Sequence, residues 1–123
     1  MSALFKPALY GIPNCDTVKK ARSWLEDNGV AYVFHDFKKG AISKPMVDHW
    51  LKHVSWELLV NRKGTTWREL EDGTKAAVID AASATALMLA SPSVIKRPVL
   101  VTEGSAHVGF SPALYHQIFT SGQ

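Results

Sequence analysis

This 123-residue chain holds one cysteine, so thiol chemistry can happen at one place only. Cys15 stands in the stretch Tyr10-Gly11-Ile12-Pro13-Asn14-Cys15-Asp16-Thr17-Val18-Lys19-Lys20, behind a short apolar run that stops at Pro13 and ahead of an amphipathic helical pattern. A thiol at such a strand-to-helix junction meets unpaired backbone N–H groups and the positive end of the helix dipole, both of which favour the thiolate. Lys19 and Lys20 add to that field, and Asn14 and Lys19 are the candidate substrate contacts beside the sulfur. The plain alternative for a lone cysteine is a small buried hydrophobe. Here the flanks are Pro13-Asn14 and Asp16-Thr17 rather than apolar residues, which argues for a nucleophile instead.

Spacing narrows the chemistry. A dithiol oxidoreductase carries a second cysteine three positions after the first to resolve the mixed disulfide, and this chain has Val18 there. Monothiol chemistry is left, in which Cys15 attacks an oxidised substrate and an external thiol, with glutathione the abundant candidate, resolves the product. Arg97, in Lys96-Arg97-Pro98, has the guanidinium that such a site needs to stabilise a thiolate and to grip an oxyanion or carboxylate in bidentate fashion. Arg62, in the polar loop Val60-Asn61-Arg62-Lys63-Gly64, is a further candidate for an anionic group, while Arg68 reads as solvated. His49 and His53 have the four-residue spacing of a shared metal but no third ligand in a known pattern, so no metal site is expected. Trp24, Trp50, Trp56 and Trp67 recur among helical neighbours and read as core rather than as a base-stacking platform.

These residues need a frame. Residues 8–12 read as a strand, and apolar Val18, Ala21, Trp24 and Leu25 then fall at helical spacing until Asn28-Gly29. A second strand over 31–37, rich in β-branched and aromatic residues, completes a unit that favours a parallel crossover. Residues 43–92 turn helical: Ser43 caps a helix with Pro45 in its first turn, and Ser55, Thr66 and Ser83 begin further pieces, with Leu87 and Met88 facing inward from the last of them. Residues 98–102 and 106–110 read as a hairpin around Glu103-Gly104-Ser105, and a final helix runs from Ser111-Pro112 through Ile118. The expectation is one α/β domain over 1–123, ordered β-α-β, helical insertion at about 43–92, β-β-α.

Composition sets the outer limits. A 46% hydrophobic and 20% charged chain is globular, and its net charge of +3 is dispersed rather than gathered in a basic stripe, so small anions suit it better than nucleic acid. One cysteine makes no internal disulfide, residues 1–7 lack the apolar core of a signal peptide, and no run is long enough to span a bilayer. A soluble protein of the reducing cytoplasm is expected.

Three separated stretches, Gly11 to Ala21, Arg62-Lys63-Gly64, and Ser91 to Leu100, resemble in order those of the ArsC-related family of arsenate reductase-like proteins. Within it the chain looks like the YffB-like branch, to which the Spx regulators are also related. The resemblance covers about residues 9–119 and implies a thioredoxin-like fold with a mixed four-stranded sheet. In that fold the Arg97-Pro98 bond is cis, with Pro98 packed against Cys15 and offering backbone groups to an extended peptide such as glutathione. The family's nucleophile falls on Cys15 and two of its three oxyanion-binding arginines on Arg62 and Arg97. Its third arginine is replaced by Ser111, and a histidine four residues before the nucleophile is replaced by Gly11. The lost arginine removes a charge-assisted contact worth ~1.5 to 3 kcal/mol, which makes arsenate reduction with glutathione and glutaredoxin the lesser reading. The YffB-like branch implies instead a glutathione-dependent thiol reductase with glutathione as co-substrate and no bound cofactor. The Spx relatives imply a third possibility, binding to RNA polymerase, although Val18 excludes their Cys-x-x-Cys switch.

Overall fold

The computed structural model describes residues 6–37, 39–40 and 42–120; most of the segment read for a signal peptide, and Lys38, lie outside them. The chain opens with β1 (Ala8–Gly11), α1 (Asp16–Asp27) and β2 (Val33–Asp36), and β1 and β2 pair in parallel as the intervening helix requires. It closes with β3 (Val99–Thr102), β4 (Ser105–Val108) and α7 (Pro112–Thr120), in which β3 and β4 form the antiparallel hairpin. β1 also pairs antiparallel with β3, giving a mixed sheet in the order β2-β1-β3-β4. The strands are shorter than their sequence pattern, because residues 31–32 and Phe37 continue the hydrophobic pattern beyond the ladder.

Between the two halves lie α2 (Lys44–Leu51), α3 (Trp56–Leu59), α4 (Thr65–Arg68), α5 (Asp72–Ala76), α6 (Ala81–Ala90) and a short 3₁₀ turn at Pro92–Val94. Ser43 and Ser55 cap α2 and α3, their hydroxyls accepting from the N–H groups of Met46 and Glu57. Two helix starts differ from the sequence reading. Gly64, not Thr66, precedes α4, and α6 is capped by Asp80, with Ser83 as the reciprocating third residue of a capping box. Helix α5 was not expected, and it buries no residue.

Strand alternation sends side chains to opposite faces and so divides the core in two. Leu9 and Leu100, opposite one another in the β1–β3 register, pack with Ala21, Leu25 and Tyr115 against α1 and α7. Val99 and Ala106 face the other way, against Val47, Trp50, Met88 and Ile95 of the inserted segment. Tyr10 lies on that second face too, stacked on its register partner His35 at 4.6 Å and edge-on to Trp50 at 5.3 Å. Among the described residues no helix is long and apolar enough to cross a membrane.

Helix α1 sits directly on β1 at Gly11. A Cβ there would stand 2.7 Å from Val18 Cγ2, inside any real contact distance, and Val18 is fully buried. Gly11→Ala is therefore expected to cost about 1–3 kcal/mol by overpacking. Trimming the partner in Gly11→Ala/Val18→Ala makes room for the new methyl, so the double variant is expected to be less destabilised than the two single costs added together. Urea unfolding of the three variants measures this. Tyr115 offers the opposite case: its ring is fully buried among Trp24, Phe110 and Phe119, and its hydroxyl has no partner. Tyr115→Phe is expected to raise stability by about 1 kcal/mol, because an orphaned buried hydroxyl is removed and the ring is kept.

Candidate functional site

Cys15 is the N-cap of α1. Its backbone is extended (φ −79, ψ 126), its N–H closes a turn onto the Ile12 carbonyl at 3.1 Å, and its carbonyl accepts the first helical bond from Lys19 at 2.9 Å. The thiol thus occupies the place where a serine or aspartate would satisfy the helix's orphan N–H groups. It makes no full capping hydrogen bond. Burial pushes the thiol up, but the Val18 N–H, the Arg97 guanidinium and the Thr17 N–H outweigh that, and the thiol ends below its ordinary value. Lys19 and Lys20 are exposed and are not among the groups that shift it, so the helix terminus and Arg97 supply the field.

Arg97 is fixed from two directions. The Arg97-Pro98 bond is cis, and the guanidinium Nη1 donates to the Ser93 carbonyl of the 3₁₀ turn at 3.0 Å. Its Nε is buried without a partner, on the edge of the fork suited to an oxyanion or carboxylate. Pro98 is buried, and its carbonyl already accepts from the Gly109 N–H at 2.9 Å. No backbone hydrogen bond among the described residues involves Arg97.

Cys15 and Arg97 line one open cleft of about 530 Å³. Thr17, Asn61 and Lys96 give it polar walls, while Val108, Phe110 and Leu114 give it an apolar one, and among the described residues no carboxylate lines it. Ser111 also lines it, with its hydroxyl accepting from the Leu114 N–H at 3.0 Å and its carbonyl from Tyr115 at 3.1 Å. The serine that stands in place of an arginine is thus occupied in capping α7.

Three other expected contacts lie elsewhere. Arg62 is turned toward α3, with Nη2 3.9 Å from the Glu57 carboxylate and its guanidinium 5.9 Å from the Trp56 ring. Asn14 and Lys19 are exposed and do not line the cleft. The loop that carries Arg62 contributes Asn61 instead, whose N–H is held by the Val94 carbonyl at 2.7 Å next to the Val60–Ile95 bridge. Asn61 and Thr17 carry no signal in the sequence beyond their nearness to Arg62 and Cys15, whereas Lys96 stands in the Lys96-Arg97-Pro98 stretch that the sequence singles out. The His49 and His53 rings meet edge-on at 5.2 Å, and among the described residues no group of three metal-ligating side chains comes together.

Known proteins match this arrangement over almost its whole length. The profile of the ArsC family matches residues 10–118. An uncharacterized protein of Haemophilus influenzae is 35% identical over 111 residues, covering 90% of this chain and 96% of its own. A solved YffB protein is 48% identical, with a TM-score of 0.86 over 90% of this chain and 96% of that one. The solution structure of an arsenate reductase (ArsC) related protein from Brucella melitensis is 50% identical, with a TM-score of 0.73 over 98% and 99% of the two chains.

The electrostatics give a direct test. Arg97→Met removes a cation that lowers the Cys15 thiol, so the midpoint of its pH-dependent alkylation by iodoacetamide is expected to rise. Because the folded thiol ionises below the unfolded one, its ionisation adds stability that is complete above the ordinary thiol value and lost as pH falls through the folded value. Unfolding titrations across that window should show stability rising with pH in the wild type and a flatter profile in Cys15→Ser.

Proposed function

This chain belongs to the ArsC family, and from that premise we propose that it is a glutathione-dependent monothiol reductase of the cytoplasm. The observation that carries the reading is the activated, partly exposed Cys15 in a cleft lined by cations and, among the described residues, by no carboxylate, in a chain that has no second cysteine. Its thiolate attacks one sulfur of a disulfide; the new S–S bond forms as the old one breaks, and the departing sulfur leaves with the bonding pair and takes a proton from water. A glutathione thiolate then attacks the mixed disulfide, releasing Cys15 as thiolate and carrying the other half away as a disulfide. Arg97 holds the Cys15 thiolate before attack and faces the leaving sulfur after it, while its backbone is offered to the peptide of glutathione. A cleft of about 530 Å³ suits a ligand of tripeptide size.

Arsenate draws less support. Of the two arginines at oxyanion-binding positions only Arg97 lines the cleft, and Ser111 has its hydroxyl committed to α7. Incubation with oxidised glutathione followed by intact mass measurement tests the reading. One glutathione adduct is expected on the wild type, reversed by reduced glutathione, and none on Cys15→Ser; an unmodified wild type, or an equal adduct on Cys15→Ser, refutes it.

A further inference from the structure

Lys96 is seated at the edge of the cleft by both its backbone and its stem. Its N–H donates to the Leu59 carbonyl at 2.7 Å, and the residue before it, Ile95, bridges to Val60. Its Cε lies across Gly109, 3.3 Å from where a Cβ would stand, and Gly109 has the positive φ of +80 that a side chain would strain. Glycine at this turn thus leaves room for the lysine stem and lets it lie along the cleft wall. The ammonium end is exposed, and the ion pairs found among the described residues, Lys44–Asp48 and Arg62–Glu57, do not involve it.

The charges in this cleft are unequally employed. Arg97 is engaged by the Ser93 carbonyl and by the Cys15 thiolate. Among the described residues no ion pair engages Lys96 and no carboxylate lines its cleft. An unpaired ammonium held over a concave surface is a receptor for an anion supplied from outside, and the apolar wall of Phe110 and Leu114 leaves room for a nonpolar part of the same molecule.

We propose that Lys96 is a specificity-determining residue of this cleft: its ammonium takes a carboxylate that the incoming disulfide carries away from its reacting sulfurs, so carboxylate-bearing disulfides are selected over neutral ones. The assignment rests on Cys15 as the attacking thiolate but not on which disulfide is physiological. Lys96 takes no part in the bond exchange, in which Cys15 bonds to one sulfur and the other leaves with the electron pair. Its effect falls on capture of the substrate and is screened by salt.

Two disulfides that release a coloured thiol separate these effects: dithiobis(nitrobenzoate), with a carboxylate on each ring, and dithiodipyridine, neutral at pH 8. The ratio of their second-order rates with Cys15 is the readout. In Lys96→Gln the ratio of carboxylate to neutral probe is expected to fall about tenfold. Lys96→Arg should keep it, and added salt should lower it in the wild type toward the Lys96→Gln value. An unchanged ratio in Lys96→Gln, with fast reaction of the neutral probe, overturns the assignment and leaves the nucleophile reading intact. Slow reaction of both probes with the wild type, at the rate of an ordinary thiol, overturns the nucleophile and the assignment together.

Discussion

Burial by itself pushes the Cys15 thiol up, and the whole site depends on the few donors that outweigh it. Two are backbone N–H groups of Val18 and Thr17, which exist as free donors only because a helix begins there and a cysteine, not a serine or aspartate, stands at its cap. The third is the guanidinium of Arg97, which comes from the far end of the chain. Its position is set by the cis bond to Pro98 and the anchoring carbonyl of Ser93, and beyond those by the strand pairing that brings β3 beside β1. Local structure and long-range topology therefore meet at one sulfur atom.

Two departures of this chain, one from the arsenate reductase pattern and one from the Cys-x-x-Cys pattern, also meet in space. Gly11 and Val18 are separate positions in the sequence, one where a histidine is missing and one where a resolving cysteine would stand. In the fold they touch, with Val18 filling the volume over Gly11 so tightly that a single methyl does not fit. Each helps to explain the other, and together they fix the approach of α1 to β1 that aims the thiol. Ser111 departs for a different reason, since the residue that no longer supplies charge to the cleft supplies a cap to α7.

Much of this was legible in the chain, for identifiable reasons. The β1-α1-β2 unit announces itself because the apolar period changes from strand to helix and back within thirty residues, and the hairpin follows from residue types at its turn, whereas the cis bond before Pro98 is implied only by the family resemblance. Helix α5 carried no such signal, because it buries nothing and so has no apolar period to read. In α6 nearly every residue is small or apolar, so the helix start rests on whether Asp80 or Ser83 is the cap, and the two exchange hydrogen bonds. Cys15 could be found from local chemistry, and Arg97 only through the fold that the resemblance implies. The facing of Arg62 could not, because Glu57 and Trp56 settle it from α3, and the arrival of Asn61 and Lys96 at the cleft follows from a bridge between Val60 and Ile95 that no spacing rule contains.

The sheet keeps two separate cores, and the thiol and the guanidinium come from opposite ones. Cys15 is carried by α1, whose Ala21 and Leu25 belong to the core shared with α7, whereas Arg97 leaves a segment whose Val94 and Ile95 are sunk in the core of the inserted helices. The acidity of the sulfur is in consequence a gauge of how the two layers are seated on the sheet. A repacking in either core, far from the cleft and silent in overall stability, would register first as a change in the fraction of thiolate.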